Sequence, residues 1–277
     1  MKAVKYLLKK FSLYKIVRQW YRRFRGLPIH PLQTIPTSRG VNIIHLGSSN
    51  CGWSFVDDDD LYGCTIISAG LGEDASFDLE FAKKYSARVV IVDPTPRAIV
   101  HYNDILTSLG NKKSVAYTDK GRQPIEAYDL RGINPRNLML VEKALYSHSS
   151  ILKFYQPKNP HHVSCSISNF QNHYRNDTPS FDVQSISVSE LLADLSIDPA
   201  EISMIKLDIE GAEIEVLNHC LLQGILPRQI LVEYDELNIP SARAYERIDH
   251  LHQKLSLNGY DLIRTDGQAD FLYLRTS

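Results

Sequence analysis

The sequence has no pair of cysteines close enough for a zinc ribbon or a dithiol redox site. Cys51, Cys64, Cys165 and Cys220 lie far apart, and no CxxC occurs. They read as reduced, mostly buried thiols of a cytosolic protein. No apolar run approaches the roughly 20 residues that a membrane-spanning helix needs. No apolar core or small-residue cleavage site of a secretory signal follows the N-terminal charges. Net charge is nearly absent too, since 31 Lys and Arg face 32 Asp and Glu. The 277 residues, 43% hydrophobic and 23% charged, exclude a disordered or fibrous chain and suffice for one large α/β domain or two small ones with a buried core.

The near-neutral total conceals an uneven distribution. Residues 1–25 hold nine bases and no acid, so the rest of the chain carries 22 bases against 32 acids. An acidic body lacks the basic face that a nucleic-acid enzyme turns towards phosphates, so no nucleic-acid partner is expected. Within residues 1–25, Val4, Leu7, Leu8, Phe11, Tyr14, Val17, Tyr21 and Phe24 recur at helical spacing. This predicts a basic amphipathic helix, suited to the inner face of an anionic membrane or to packing on protein. Gly26, Pro28, Pro31, Pro36 and Gly40 mark residues 26–41 as a linker. Residues 42–277 then form one domain.

That domain alternates strand and helix. Residues 42–46 are a short apolar run ended by a turn from Gly47 to Gly52. Strands are predicted at 64–69, 88–92, 137–144, 202–208, 229–234, 260–264 and 270–274. Between them, Phe77, Phe81, Ala82 and Tyr85 share one helical face, and further helices are predicted at 97–109, 212–222 and 243–257. Continuous apolar strands separated by helices mean a parallel sheet covered on both faces. The last two strands, joined by a short turn at Thr265–Gly267, read as an antiparallel pair. Residues 156–185, rich in Asn, His, Ser and Pro, break the pattern and predict a functional lid or an unstructured tract.

Residues 68–78 (SAGLGEDASFD) put Gly70 and Gly72 between a strand and a helix, where glycine lets the backbone approach a ligand closely. Asp93 ends the next strand, about 20 residues on, a spacing suited to hydrogen-bonding a ribose diol. Together they point to an adenosine-containing cofactor, either a nicotinamide or S-adenosylmethionine. The third glycine of a dinucleotide fingerprint is missing, and Ala75 stands there. Glu73 and Asp74 would repel a pyrophosphate but suit the ammonium and sulfonium of S-adenosylmethionine.

GLGEDASFD (70–78), VDPTPRA (92–98), PHHVSCSI (160–167), KLDIEGAEIEVL (206–217) and ILVEYDEL (230–237) resemble, in order, the FkbM-type S-adenosylmethionine-dependent methyltransferases. The resemblance covers about residues 42–275. It implies a class I, Rossmann-like α/β fold, with a seven-stranded, mainly parallel sheet, an antiparallel last strand and helices on both faces. It implies O-methylation, commonly of sugar hydroxyls in glycans or glycosylated small molecules. Residue by residue, it puts Gly70 and Gly72 in the cofactor loop and Asp93 on the ribose. It puts Glu142, Lys143 and Ala144 beside the adenine, and Asp208 at the methionine end or the acceptor. The acid that often precedes the family's glycines is replaced by Ser68 and Ala69, so an ammonium contact falls to Glu73, Asp74 or Asp208.

Methyl transfer requires an aligned acceptor and excluded water, and a hydroxyl acceptor also needs a base. Asp208 and Glu210, with Gly211 and Glu213, form a strand-to-helix turn; acids there either serve the site or cap the helix. His162 has an imidazole suited to base catalysis, or is a solvated loop residue. Glu233 and Asp235 end the next strand and could line the acceptor pocket. The spacing of these acids matches no metal motif, so no metal is expected. Trp53 reads as core, and Asp57 to Asp60 as a solvated loop. Two alternatives stay open. A nicotinamide-dependent oxidoreductase lacks its third glycine and a Tyr-x-x-x-Lys pair. A non-catalytic scaffold fits poorly with intact Gly70, Gly72, Asp93 and Asp208.

Overall fold

The apolar runs assemble into one seven-stranded sheet. The computed structural model describes residues 29–38, 40–119, 121–157, 165–169, 175–238 and 240–276. The basic segment 1–25 and His162 lie outside them. In chain order the elements are β1 (Ile43–Leu46), β2 (Trp53–Val56), β3 (Thr65–Ala69), α1 (Ser76–Tyr85), β4 (Arg88–Val92), α2 (Pro96–Thr107), β5 (Leu138–Val141), β6 (Ala144–Leu145), β7 (Ile151–Tyr155), β8 (Ser180–Ile186), α3 (Val188–Asp194), β9 (Ile202–Leu207), α4 (Glu213–Leu222), β10 (Gln229–Glu233), α5 (Ala242–Leu257), β11 (Tyr260–Thr265) and β12 (Asp270–Arg275).

The sheet is mixed, in the order β11-β12-β10-β9-β3-β4-β5. Neighbours from β5 through β10 pair in parallel. β12 pairs antiparallel with both β10 and β11, so the expected last hairpin is present. Successive side chains of a strand go to opposite faces. Ile67, Val90 and Ile205 therefore meet Leu191, Leu217 and Leu251 of α3, α4 and α5. Ile66, Val89 and Met204 meet Phe77, Phe81 and Ile105 of α1 and α2 on the other side. Both faces are covered, which is why these strands carry no polar alternation.

Several expectations are corrected. The 137–144 strand splits: β5 ends at Val141, and after Glu142 and Lys143 the chain enters a second sheet of order β6-β8-β7. The tract 156–185 is not wholly irregular, because residues 180–186 form β8, antiparallel to β7 and parallel to β6. This ladder is half exposed, with Asp182 and Gln184 outward and Val183 and Ser185 inward. The inward Ser185 breaks the apolar period, yet its hydroxyl donates to the His148 carbonyl (2.8 Å) and accepts from the Ser150 amide (2.9 Å). The run 42–46 pairs with β2 as a separate hairpin that delivers Trp53 and Phe55 to the core. Asp57 and Asp58 are not simply solvated, since Asp57 accepts from the Tyr85 hydroxyl and Asp58 from Arg228 (both 2.5 Å). Of the four thiols only Cys220 is fully buried; the other three are half-buried.

Within the expected linker, Pro31–Thr34 forms a 3-10 turn that buries Leu32. His30 is buried edge-on against Tyr245, its ring 4.7 Å away. Its Nδ1 accepts from the Leu32 amide (3.3 Å), and its Nε2 lies 3.3 Å from Asp249. Burial lowers the basicity of His30 against the opposing pull of Asp249, and burial lowers that of His252 too. Both rings are therefore favoured neutral in the fold. The unfolded chain takes up protons near pH 6.5, the ordinary value, before the folded chain does. Their contribution is present above that pH and lost as pH falls below it. The melting temperature is expected to drop between pH 7.5 and 5.5, by about 2–4 °C per kcal/mol lost. In His30→Gln the drop is expected to be smaller.

Candidate active site

The carboxyl ends of β3, β4, β9 and β10 and the second sheet enclose a cleft of about 300 Å³. Gly70 leaves β3 with a φ of +88°, and a Cβ there would lie 1.8 Å from the Asp208 carbonyl oxygen. The two strand tips are joined where the Asp208 amide donates to the Ala69 carbonyl (3.1 Å). Only glycine fits such an approach in the left-handed region.

Asp93, at the tip of β4, is buried and braces the glycine loop. One oxygen accepts from the amides of Leu71 and Gly72 (2.9 Å each). The other accepts from the Thr95 amide (2.8 Å) and hydroxyl (2.6 Å). Four donors satisfy a carboxylate that burial would otherwise penalise. Sequence spacing showed the acid but not this bracing.

Glu73 is buried and ion-paired with Arg97, and with Arg122 at 3.3 Å. Asp74 accepts from the Ser48 hydroxyl (2.7 Å), the Gln123 amide (2.9 Å) and the Ser76 backbone amide (3.0 Å). Both line the cleft, as do Gly70, Gly72 and Asp93. Two further lining residues went unassigned in the sequence. Lys206 is buried and donates to the Gly70 carbonyl (2.8 Å). Asp78, on α1, is buried beside the Ser68 hydroxyl, and burial raises its carboxyl against the opposing charge of Lys206.

The turn after β9 carries Asp208 and Glu210, both on the cleft. Glu210 has a φ of +58° and Gly211 one of +109°. Glu213 ties the turn itself and does not cap the helix: its buried carboxyl accepts from the amides of Ile209 (3.0 Å) and Gly211 (3.0 Å), both before the helix begins. Ser166, buried, donates to the Glu210 carbonyl (2.6 Å), and its backbone bridges Tyr155 of β7. The second sheet thereby holds the turn in its left-handed form. Ser166→Ala is expected to cost about 0.5–1.5 kcal/mol, the net worth of one hydrogen bond to a half-buried carbonyl, in a urea titration.

Glu233, ending β10, also lines the cleft. Desolvation, then the charges of Asp208, Asp270 and Glu210, raises its carboxyl well above the usual range and favours the protonated form. Asp235 is buried outside the cleft and accepts from Asn238 (3.0 Å). Of the three residues expected beside an adenine, Ala144 lines the cleft with Leu145 and Phe154. Glu142 is exposed, and Lys143 lies 3.7 Å from Asp194; neither reaches the cleft, because the chain leaves the main sheet at that step. Among the described residues, no group of three or more His, Cys, Asp or Glu is arranged to hold a metal ion.

A glycine loop braced by a strand-end acid faces an acidic strand-to-helix turn across one cleft at the carboxyl ends of a Rossmann-like sheet. The chain matches the methyltransferase FkbM domain over residues 67–262, well over half its length, and belongs to that family. No curated protein gives a significant match. Among solved structures, a variant 16S rRNA (adenine(1408)-N(1))-methyltransferase from Catenulisporales acidiphilia is similar at 12% identity, over 85% of this chain and 96% of that one. Its TM-score of 0.31 is too slight to bear on fold or function.

Proposed function

We propose that the protein transfers a methyl group from S-adenosylmethionine to a hydroxyl on a sugar of a glycan or glycosylated small molecule. The observation that carries this reading is the convergence of the Gly70–Gly72 loop, the Asp93 tip and the Asp208–Gly211 turn on one cleft. The lining fits that cofactor. Asp74, Asp78, Asp93, Asp208 and Glu210 outweigh Lys206, which suits a sulfonium and an ammonium and opposes a pyrophosphate. Ala144, Leu145, Phe154 and Ile167 offer an apolar wall for a base. When bound, the cofactor supplies an already activated methyl group.

The chain's own residues do the rest. Gly70 and Gly72 bring bare backbone to the ligand, and Asp93 holds that backbone in place. Asp208 takes the proton of the acceptor hydroxyl at a carboxylate oxygen. Protonated Glu233 limits the negative charge around it and donates a hydrogen bond. Asn50, Glu210 and Glu233 at the same cleft supply the several polar partners that a polyol acceptor needs. The second sheet walls the site against water.

Calorimetry with S-adenosylmethionine and NAD tests the cofactor, and binding of NAD alone overturns it. Untargeted mass spectrometry of glycans and metabolites treated with the protein and S-adenosylmethionine tests the acceptor. A methyl found on nitrogen or carbon instead of a sugar oxygen overturns that part. We further assign residues 1–25 to an anionic membrane surface, where each base contributes on the order of 1 kcal/mol. Deleting them is expected to abolish salt-sensitive flotation with anionic vesicles. Full-length protein that ignores such vesicles at low salt would end this assignment.

A further inference from the structure

We propose that Asp78, in the first turn of α1, receives the methionine ammonium of S-adenosylmethionine, replacing the acid missing from the end of β3. The inference rests on the cofactor reading above. At the end of β3, Ser68 and Ala69 stand where an acid often precedes the glycines. Asp78 comes from the following helix, and its carboxyl lies beside the Ser68 hydroxyl. A serine on the strand leaves space that the helix fills with a carboxylate, so the charge reaches the strand end by another route.

The other acids of this loop have their oxygens engaged. Glu73 Oε2 has no hydrogen-bond partner among the described residues, but a guanidinium faces each of its oxygens, Arg97 at Oε2 and Arg122 at Oε1. Asp74 accepts from Ser48, Ser76 and Gln123. Asp93 holds two backbone amides of the loop, besides the amide and hydroxyl of Thr95. Asp78 differs: it is only 1% exposed, it lines the cleft, and its Oδ1 has no hydrogen-bond partner among the described residues. The charge of Lys206 reaches it, but the Lys206 ammonium donates to the Gly70 carbonyl. A buried carboxylate with an unused oxygen is costly to keep until a cation or donor arrives. An ammonium, bound directly or through one bridging water, answers that need.

The consequence is selectivity for a ligand with an amino-acid tail. S-adenosylhomocysteine carries the ammonium; 5′-methylthioadenosine shares the adenosine and the sulfur but lacks the tail. Calorimetry on the full-length protein compares both ligands with wild type and Asp78→Asn. The variant is expected to weaken S-adenosylhomocysteine by about 10–100-fold, the worth of a charge-assisted hydrogen bond. The weakening of 5′-methylthioadenosine should stay under about twofold on the same grounds. Equal losses for the two ligands, or no loss for either, overturn the assignment. Wild type that binds neither ligand overturns the cofactor reading itself, and this proposal with it. If Asp78→Asn fails to fold, the exchange Ser68→Asp with Asp78→Ser returns the carboxylate to the strand. Selective recovery of S-adenosylhomocysteine binding supports the proposal; a folded exchange variant that prefers neither ligand overturns it.

Discussion

Gly70→Ala is expected to cost about 2–6 kcal/mol of stability and to abolish cofactor binding. Two penalties add. An alanine at a φ of +88° is strained, and its Cβ would lie 1.8 Å from the Asp208 carbonyl. The Cβ has no rotamer and its neighbour is backbone, so no side-chain rotation relieves the overlap. The strand tips would have to part, and that moves the loop braced by Asp93 away from the Asp208–Gly211 turn. Total stability of a domain is about 5–15 kcal/mol, so the loss is large. Gly110→Ala is the control: its φ is +93°, but a Cβ there meets nothing within 4 Å. It should show the conformational penalty alone, about 1 kcal/mol. Urea titrations of both variants separate the terms. Equal losses would mean that the β3–β9 approach contributes nothing.

Asp208→Asn is expected to lower turnover by about 10²–10⁴-fold, the usual worth of a general base, while cofactor affinity changes little. Glu233→Gln is expected to retain most activity, because the amide resembles the protonated carboxyl that the site favours. The two acids also separate in their effect on stability. A folded-state carboxyl raised above its unfolded value of 4.5 keeps a proton that the unfolded chain releases. Glu233 therefore stabilises the fold less and less as pH rises above about 4.5. Glu233→Gln should flatten that decline in melting temperature. If Asp208→Asn kept wild-type turnover, the base would lie elsewhere, with Glu210 or His162 next to be substituted.

The legible parts of the sequence were those whose physics is local. β3, β4, β9 and β10 are apolar runs buried on both faces, and buried runs announce themselves without any knowledge of their neighbours. The glycine loop, Asp93 and the KLDIEGAE turn were legible because strand ends, φ-tolerant residues and acids are short-range signals. The second sheet was not: β7 (Ile151–Tyr155) has no polar–apolar period and exposes Ile151, and in β8 Ser185 faces inward through hydrogen bonds that only the pairing reveals. Glu142 and Lys143 lie off the cleft because β5 ends at Val141, three residues before the expected strand end. Lys206 and Asp78 escaped notice because each acquires its role from a residue on another element.

The two-residue step at Glu142–Lys143 divides the enzyme into a floor and a wall. The floor, built from the seven-stranded sheet, carries the Gly70–Gly72 loop, Asp93 and the Asp208–Gly211 turn. The wall, built from β6, β8 and β7, meets it through the chain step, the Ser166–Glu210 hydrogen bond, and Leu145 and Ile186, which enter the core under the main sheet. Insertions or exchanges between β7 and β8 can thus reshape the opening without altering any strand register beneath it. On the proposed function, a graft of the wall from one relative onto the floor of another must keep the core residues Leu145 and Ile186 and the cleft residues Ala144 and Phe154, and its exposed remainder is where a change of specificity is to be sought.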